Sequence, residues 1–119
     1  MFYLFPKNYL ENYSIIKKNL EKSYWPKNPR IIITSTSYWF DDFFKIWTAN
    51  QVSKKSKYLI MQHGGKMGTE KVATNMDVQR KIADKYLSWG WKSEDKKVVP
   101  FFSILLSKLK NKYDYKNKE

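Results

Sequence analysis

The sequence predicts an α/β fold, with a parallel sheet between layers of flanking helices, and three observations support it. Short apolar runs with β-branched or aromatic residues recur over residues 30–35, 57–62 and 85–89. Segments whose apolar residues recur at helical spacing lie between these runs. Turn-forming residues bound each run. Strands that alternate with helices along a chain are typical of parallel α/β sheets.

The first elements are a helix and a strand. Residues 8–22 place apolar side chains on one helical face and lysines on the other, which predicts an amphipathic helix. The segment 24–29 ends it, because its prolines disfavour helix in the residue before them. In the run 30–35, Arg30 is followed by three consecutive isoleucines and then by Thr34 and Ser35. A continuous β-branched run of this kind is typical of a strand buried on both faces.

The remaining elements repeat this alternation. A second helix is predicted from about Phe40 to Val52, with Asp41 and Asp42 at the positive end of its dipole. A strand, a helix, a strand and a short strand or helix are then predicted over residues 57–62, 76–83, 85–89 and 98–109. We expect one α/β domain over residues 1–109 and a polar, lysine-rich tail over 110–119.

Composition excludes several classes of protein. The chain is 42% hydrophobic and 18% aromatic, too apolar for a disordered chain. It has no cysteine and a single histidine, so we predict no disulfide, no Cys-based zinc site and no internal four-ligand transition-metal site. No motif for a metal or a cofactor is assigned, so we expect neither. No apolar stretch reaches the roughly 20 residues that span a bilayer, and no signal peptide is visible. The expected location is the cytoplasm, with at most peripheral membrane contact.

The net charge of +12 raises the alternative of a basic binding module. Only two of the 23 basic residues are arginine, whereas recognition of bases and phosphates favours arginine. The lysines are also scattered along the whole chain, as an A+T-rich genome tends to encode. These features argue against nucleic acid as a partner. A non-catalytic module for nucleic acid or an anionic membrane surface, or an inactive remnant, stays open as the alternative function.

Three predicted strand ends carry polar or aromatic residues that could form a site. They are Thr34–Ser37, which includes Ser35, then Gln62–Gly65, and Ser88–Trp91. Ligands of open parallel sheets bind outside the carboxyl ends of the strands. The three strand ends are therefore expected to converge at one edge of the sheet.

The loop after the second strand is the main candidate, with the sequence Gln62-His63-Gly64-Gly65-Lys66-Met67-Gly68. Its glycines permit a tight turn and close approach of the backbone to a ligand. Its N–H groups could bind an anion, to which Lys66 would add a charge. His63 is suited to act as a general base on an acceptor hydroxyl. The alternative is that Gly64 and Gly65 only form a turn and His63 only packs at the strand end.

Two further groups have both a functional and a structural interpretation. Asp41 and Asp42, followed by Lys45, could act as an acid–base pair or hold a metal, or they could cap a helix. Trp89 and Trp91 could stack on a sugar or a base, or they could belong to the core.

The chain resembles a family of transferases encoded among bacterial surface-carbohydrate and O-antigen biosynthesis genes. The resemblance covers about residues 5 to 100, in the family's order and spacing. It is carried by the segments Phe5–Asn12, Ile33–Ser35, Tyr38–Asp42, Phe44–Trp47, Gln62–Gly65 with Gly68, and Asp84–Trp91. Two positions depart from the family pattern: Met67 stands where an aromatic residue is expected, and residues 75–78 lack a second acidic–histidine feature.

This resemblance implies one Rossmann-like half of a two-domain GT-B glycosyltransferase, similar to the polymerases that transfer glycerol phosphate onto teichoic acid. It implies that His63 is the base and that Gly64 and Gly65 shape the acceptor cleft. Asp41, Asp42 and Lys45 would border that cleft.

The complete enzyme would use a nucleotide-activated donor and a carbohydrate acceptor. Relatives run to several hundred residues, so we expect this chain to be the acceptor-side half of an enzyme whose C-terminal donor-binding domain it lacks.

Overall fold

The computed structural model describes residues 6–64, 67–69, 74–104 and 106–107. Along these residues the order of elements is helix, helix, strand, helix, helix, strand, helix, strand, strand. The elements are α1 (Lys7–Leu10), α2 (Tyr13–Lys22), β1 (Ile31–Thr34), α3 (Ser37–Phe40), α4 (Asp42–Ser53), β2 (Lys57–Met61), α5 (Thr74–Ile82), β3 (Lys85–Trp89) and β4 (Val98–Phe101).

The four strands form one parallel sheet in the order β1-β2-β3-β4, flanked by helices in a Rossmann-like arrangement. In the β3–β4 pair, Tyr86 is opposite Val98 and Trp89 is opposite Phe101. The predicted α/β fold is therefore confirmed. The chain divides into two compact units, an N-terminal unit (Met1–Leu59) and a C-terminal unit (Ile60–Glu119), with the boundary inside β2.

The N-terminal unit is built around an aromatic cluster on α4. Trp47 packs edge-on against Trp25 with ring centroids 5.0 Å apart, and Phe44 lies 6.0 Å from Trp47. The Trp47 indole also donates a hydrogen bond to the carbonyl of Pro26 at 3.1 Å. Ile16 of α2 and Ile32 of β1 are buried as well. Apolar burial of this kind is the main force that holds helices on a sheet.

Two local predictions for this unit are wrong. Strand β1 is not buried on both faces, because Ile31 and Ile33 are 56% and 53% exposed while Ile32 is buried. Only one face of the strand is covered, and successive side chains point to opposite faces. The first helix is also interrupted between α1 and α2, with Asn12 as the N-cap of α2.

The start of α4 agrees with its predicted dipole arrangement. Asp41 is the N-cap residue, and its carboxylate accepts a hydrogen bond from the amide of Phe44 at 2.9 Å. Asp42 occupies the first turn, where a negative charge is favoured. A separate short helix, α3, precedes α4. The helix predicted to begin at about Phe40 therefore begins at Asp42, and Phe40 is the last residue of α3.

The C-terminal unit has a small core in which Ile60, Tyr86 and Ser88 are fully buried. Helix α5 and strand β3 agree with prediction to within about two residues. The first residues of the segment predicted as a short strand or helix, residues 98–109, form β4, which contains Pro100. Proline is tolerated there because β4 ends the strand order of the described sheet, where one side of the ladder is unpaired.

Lys97 ties the loop before β4 to helix α5. Its ammonium group donates to the carbonyls of Arg80 and Ala83, both at 2.9 Å. These carbonyls belong to the last turn of α5 and its end, where the dipole favours a cation. The predicted tail, residues 110–119, lies outside the described residues. Among the described residues, no helix is both long and apolar enough to cross a membrane.

Candidate functional site at the end of strand β2

Gln62 organises the carboxyl ends of β2 and β3. Its side-chain Oε1 accepts hydrogen bonds from the backbone N–H of Trp89 and the indole Nε1 of Trp91, both at 2.8 Å. Its Nε2 donates to the carbonyl of Met67 at 3.0 Å. The residue is only 5% exposed. The amide of Gln62 therefore holds together the loop after β2 and the turn after β3, and its contact with a ligand stays a prediction.

Met67 and Ser88 reinforce this arrangement. The hydroxyl of Tyr86 donates to the sulfur of Met67 at 3.3 Å, so the residue that departs from the family pattern supports the loop. The buried hydroxyl of Ser88 donates to the carbonyl of Trp91 and closes the turn after β3. These contacts fix the loop from its buried side.

Gly64 and Gly68 both have positive φ angles, of 118° and 88°. A Cβ added to Gly64 would lie 3.3 Å from the ring of Trp89, and one added to Gly68 would lie 2.7 Å from Nε1 of Trp91. The loop therefore uses glycine both for its backbone conformation and for close contact with the two tryptophans. Gly65 and Lys66, predicted to shape and charge this loop, lie outside the described residues.

His63 follows directly after Met61 and Gln62 at the end of β2, and its side chain is exposed. Its imidazole makes no hydrogen bond with any side chain or backbone group in the described part of the chain. An exposed imidazole beside a backbone turn at a strand end can reach a ligand that approaches from solvent. The alternative in which His63 packs inside the protein is not what the structure shows.

Trp89 and Trp91 differ in the contacts that their side chains make. Trp91 is half-buried, its indole N–H is bonded to Gln62, and its ring lies 6.1 Å from that of Tyr86. Trp89 is also half-buried, with the edge of its ring against Gly64. The structure thus brings His63, Gly64, Gly68, Trp89 and Trp91 together around Gln62, as the convergence of two strand ends predicts.

The third predicted strand end lies in the N-terminal unit. The hydroxyl of Thr34 accepts from the amide of Ser37 at 3.1 Å, and Ser35 between them is half-buried. This local turn closes the end of β1. We call the loop after β2, residues 62–68, the histidine loop. A common site of Ser35 and this loop stays a prediction.

Asp42 is the centre of a polar cluster in the same unit. Its carboxylate accepts from Asn8 Nδ2 at 3.0 Å, from the Tyr9 hydroxyl at 2.8 Å and from Lys45 Nζ at 3.0 Å. The hydrogen bonds from Asn8, Lys45 and Tyr9 lower the pKa of Asp42 to about 2. The bond to Asp42 raises the pKa of Lys45 above its usual value. Asp42 is therefore a firmly ionised anchor.

Sequence reasoning missed two members of this cluster, Asn8 and Tyr9. Both lie in α1, more than 30 residues before Asp42. The signal was present, because they belong to the segment Phe5–Asn12 that carries the family resemblance. Asp41 is used as a helix cap, which agrees with the structural interpretation of that residue. Among the described residues, no group of three or more His, Asp or Glu side chains could hold a metal ion.

In open parallel α/β sheets, ligands bind outside the carboxyl ends of the strands, and His63 and the loop after β2 lie at such an end. A family model described as LIC12162 family transferase matches residues 1–119. The chain belongs to this family of transferases. Comparisons with curated proteins and with solved structures give no match.

Proposed function

We propose that the protein transfers a sugar or polyol-phosphate group from a nucleotide-activated donor to a surface-carbohydrate acceptor, with His63 as the general base. Membership of a transferase family supports the reaction type, and the resemblance described above supports the O-antigen setting and the GT-B arrangement. In that arrangement this domain is the acceptor side. The observation that carries the proposal is the exposed imidazole of His63 beside a turn fixed by Gln62.

The chemistry requires a base on the acceptor side. In the proposed step, the imidazole of His63 takes the proton of an acceptor hydroxyl. At the same time the oxygen of that hydroxyl forms a bond to the sugar carbon or the phosphorus of the donor. The bond from that atom to the nucleotide leaving group breaks, and the nucleotide departs with the electron pair. Because the side chain of His63 is exposed, its imidazole can reach the hydroxyl of an acceptor that approaches from solvent.

The surrounding residues have distinct proposed roles. The half-buried Trp89 is the better platform for an acceptor ring, because the indole N–H of Trp91 is already bonded to Gln62. Gly64, Gly65, Lys66 and Gly68 are proposed to form the backbone and charge that face the ligand. Asp42 and Lys45 form an ion pair. We therefore propose that these two residues and Ser35 bind substrate and do not exchange protons with it.

The test is a transfer assay on the full-length product of the gene, with a panel of nucleotide-activated donors and carbohydrate acceptors. We expect His63→Ala to lower the transfer rate about 10²- to 10⁴-fold, as loss of a general base does. Its folding should be unchanged, because the side chain is exposed. Lys81→Ala, an exposed change on α5, serves as the control and should keep full activity.

The outcomes separate the proposal from its alternative. A His63→Ala protein that retains the wild-type rate excludes the histidine as the base. Binding to arbitrary DNA sequences, with an affinity that falls steeply and linearly on a log–log plot against salt, would instead support the basic binding module. That result together with an absence of transfer over the whole panel would overturn the transferase proposal.

A further inference from the structure

A second cavity, of about 230 Å³, lies wholly within the N-terminal unit and is not part of the histidine loop. It is lined by residues of α2, which include Lys17 and Leu20, and by residues of α4, which include Trp47 and Gln51. The segment between α2 and β1 adds Trp25 and Lys27. A space of this size admits one substituted six-membered ring.

Gln51 supplies a hydrogen-bond donor that the protein does not use. The residue is only 4% exposed, and its Oε1 accepts from the backbone N–H of Asn28 at 3.1 Å. That bond fixes the orientation of the amide, because only its oxygen can accept from an N–H group. The other end, Nε2, donates no hydrogen bond to any residue in the described ranges. This donor stays in contact with solvent, so a ligand in the cavity can accept from it in place of water.

The rest of the lining indicates the chemistry of the ligand. Trp25 and Trp47 provide aromatic rings, whose negative faces attract the polarised C–H groups of a saturated ring. Asn28, Asn50 and Tyr13 add amide and hydroxyl groups that suit a ligand with several hydroxyls.

The rim of the cavity is positively charged. The lining includes three exposed lysines, Lys17, Lys27 and Lys54, and one acidic residue, Glu21. The excess of positive charge favours an anionic ligand.

We propose that this cavity binds a single pyranose ring that carries a carboxylate or a phosphate, such as a hexuronate or a hexose phosphate. The ring lies against the tryptophans, one of its oxygens accepts from Gln51 Nε2, and its anionic group faces the lysines. The cavity and His63 belong to different units, so the binding does not depend on the proposed transfer chemistry.

The test is titration of the full chain with glucuronate and with glucose 6-phosphate, followed by NMR of the Gln51 side-chain amide and the Trp25 and Trp47 indole N–H signals. A ligand of this size should bind with a dissociation constant of roughly 0.1–1 mM and shift these signals. Glucose, which lacks the charge, should bind several-fold more weakly. His63→Ala should bind both anionic sugars as the wild type does, whatever its transfer activity.

Gln51→Glu is the sharpest variant, because it keeps an oxygen for the Asn28 amide and replaces the free donor with an acceptor. We expect it to weaken binding at least tenfold and to retain a cooperative thermal transition. A second variant, Lys17→Gln with Lys27→Gln, should weaken anionic sugars about tenfold, since each exposed charge contributes about 1.5- to 5-fold. Its matched control is Lys18→Gln with Lys22→Gln, which removes the same charge from exposed positions of α2 that do not line the cavity.

Three results would overturn the proposal. The first is no shift of the Gln51 or tryptophan signals with any of these sugars at 10 mM, well above the expected constant of about 1 mM. The second is equal binding of glucose and glucuronate together with no effect of the Lys17/Lys27 pair. The third is equal binding of inorganic phosphate alone, which would mean that the lysines bind an anion without a ring.

Discussion

The Oε1 atom of Gln62 lies 2.8 Å from the indole Nε1 of Trp91, and the same oxygen accepts from the backbone N–H of Trp89. One nearly buried amide therefore joins two strand ends that are separated by more than 25 residues of sequence. The histidine loop owes its shape to this amide as much as to its glycines. Substitutions in this loop and in the turn after β3 test the contribution of each residue to stability.

Gln62→Ala should destabilise the protein by about 2–4 kcal/mol, because it leaves two N–H donors and one carbonyl without partners. Urea unfolding measured by tryptophan fluorescence gives this free energy directly. His63→Ala, one residue away and exposed, is the matched control and should lie within about 0.5 kcal/mol of wild type. Equal stability of the two variants would show that the amide does not hold the loop.

Gly90→Ala should cost about 1–2 kcal/mol of unfolding free energy. Its φ is 88°, a conformation that L-residues with side chains adopt at a cost, yet a Cβ there would meet no atom within 4 Å. The variant therefore measures backbone strain alone, and chemical denaturation is the appropriate assay.

Gly68→Ala should cost about 1–3 kcal/mol more than Gly90→Ala. The two glycines share a φ of 88°, but a Cβ at Gly68 would lie 2.7 Å from Trp91 Nε1 and must displace it. The displaced indole would lose its bond to Gln62, so its N–H resonance should move in the NMR spectrum. Identical costs for the two variants, with that resonance unmoved, would contradict the contact between loop and tryptophan.

Local sequence patterns predicted the strands and the helix cap, but not which face of a strand is covered. The strands were predictable because their β-branched and aromatic runs are local, and Asp41 could be recognised as a potential cap from its position before Phe43 and Phe44. The exposure of Ile31 and Ile33 was not predictable, since a continuous apolar run does not show which face is covered.

The candidate site was predictable only as a set of strand ends. The partners of Gln62 lie 5, 27 and 29 residues away, and no periodicity links residues at such separations. For the same reason the contacts of Asn8 and Tyr9 with Asp42, 34 and 33 residues away, became visible only in the fold. Spacing gives the position of a loop, whereas the side chain that holds it is found only when distant strands are brought together.

The cluster around Asp42 predicts a specific dependence on pH. Folding lowers the pKa of this carboxyl from 3.8 to about 2, so its contribution to stability is present above pH 3.8 and is lost as the pH falls through about 2. Asn8→Ala removes the largest single contribution and should raise this pKa toward its usual value. NMR titration of the Asp42 carboxyl carbon between pH 1.5 and 6 measures the shift, and an unchanged pKa in Asn8→Ala would exclude the hydrogen bond as its cause.

Lys55, two residues after the end of α4, has a φ of 78°. Its amide donates to the carbonyl of Val52, and the amide of Ser56 donates to the carbonyl of Gln51. These two bonds form the turn that usually carries glycine at the position of Lys55. Lys55→Gly should therefore stabilise the protein by about 0.5–1 kcal/mol, since relief of the left-handed strain exceeds the entropy that glycine adds to the unfolded chain.

The neighbouring Lys54 provides a control of the same residue type and exposure, with a φ of −93° that any residue adopts. There the added flexibility of glycine brings no compensating relief, so Lys54→Gly should lower the unfolding free energy by about 0.5–1 kcal/mol. Thermal unfolding of the two variants beside wild type should thus give shifts of opposite sign. A loss of stability in both would mean that the lysine at position 55 contributes more through its side chain than its backbone conformation costs.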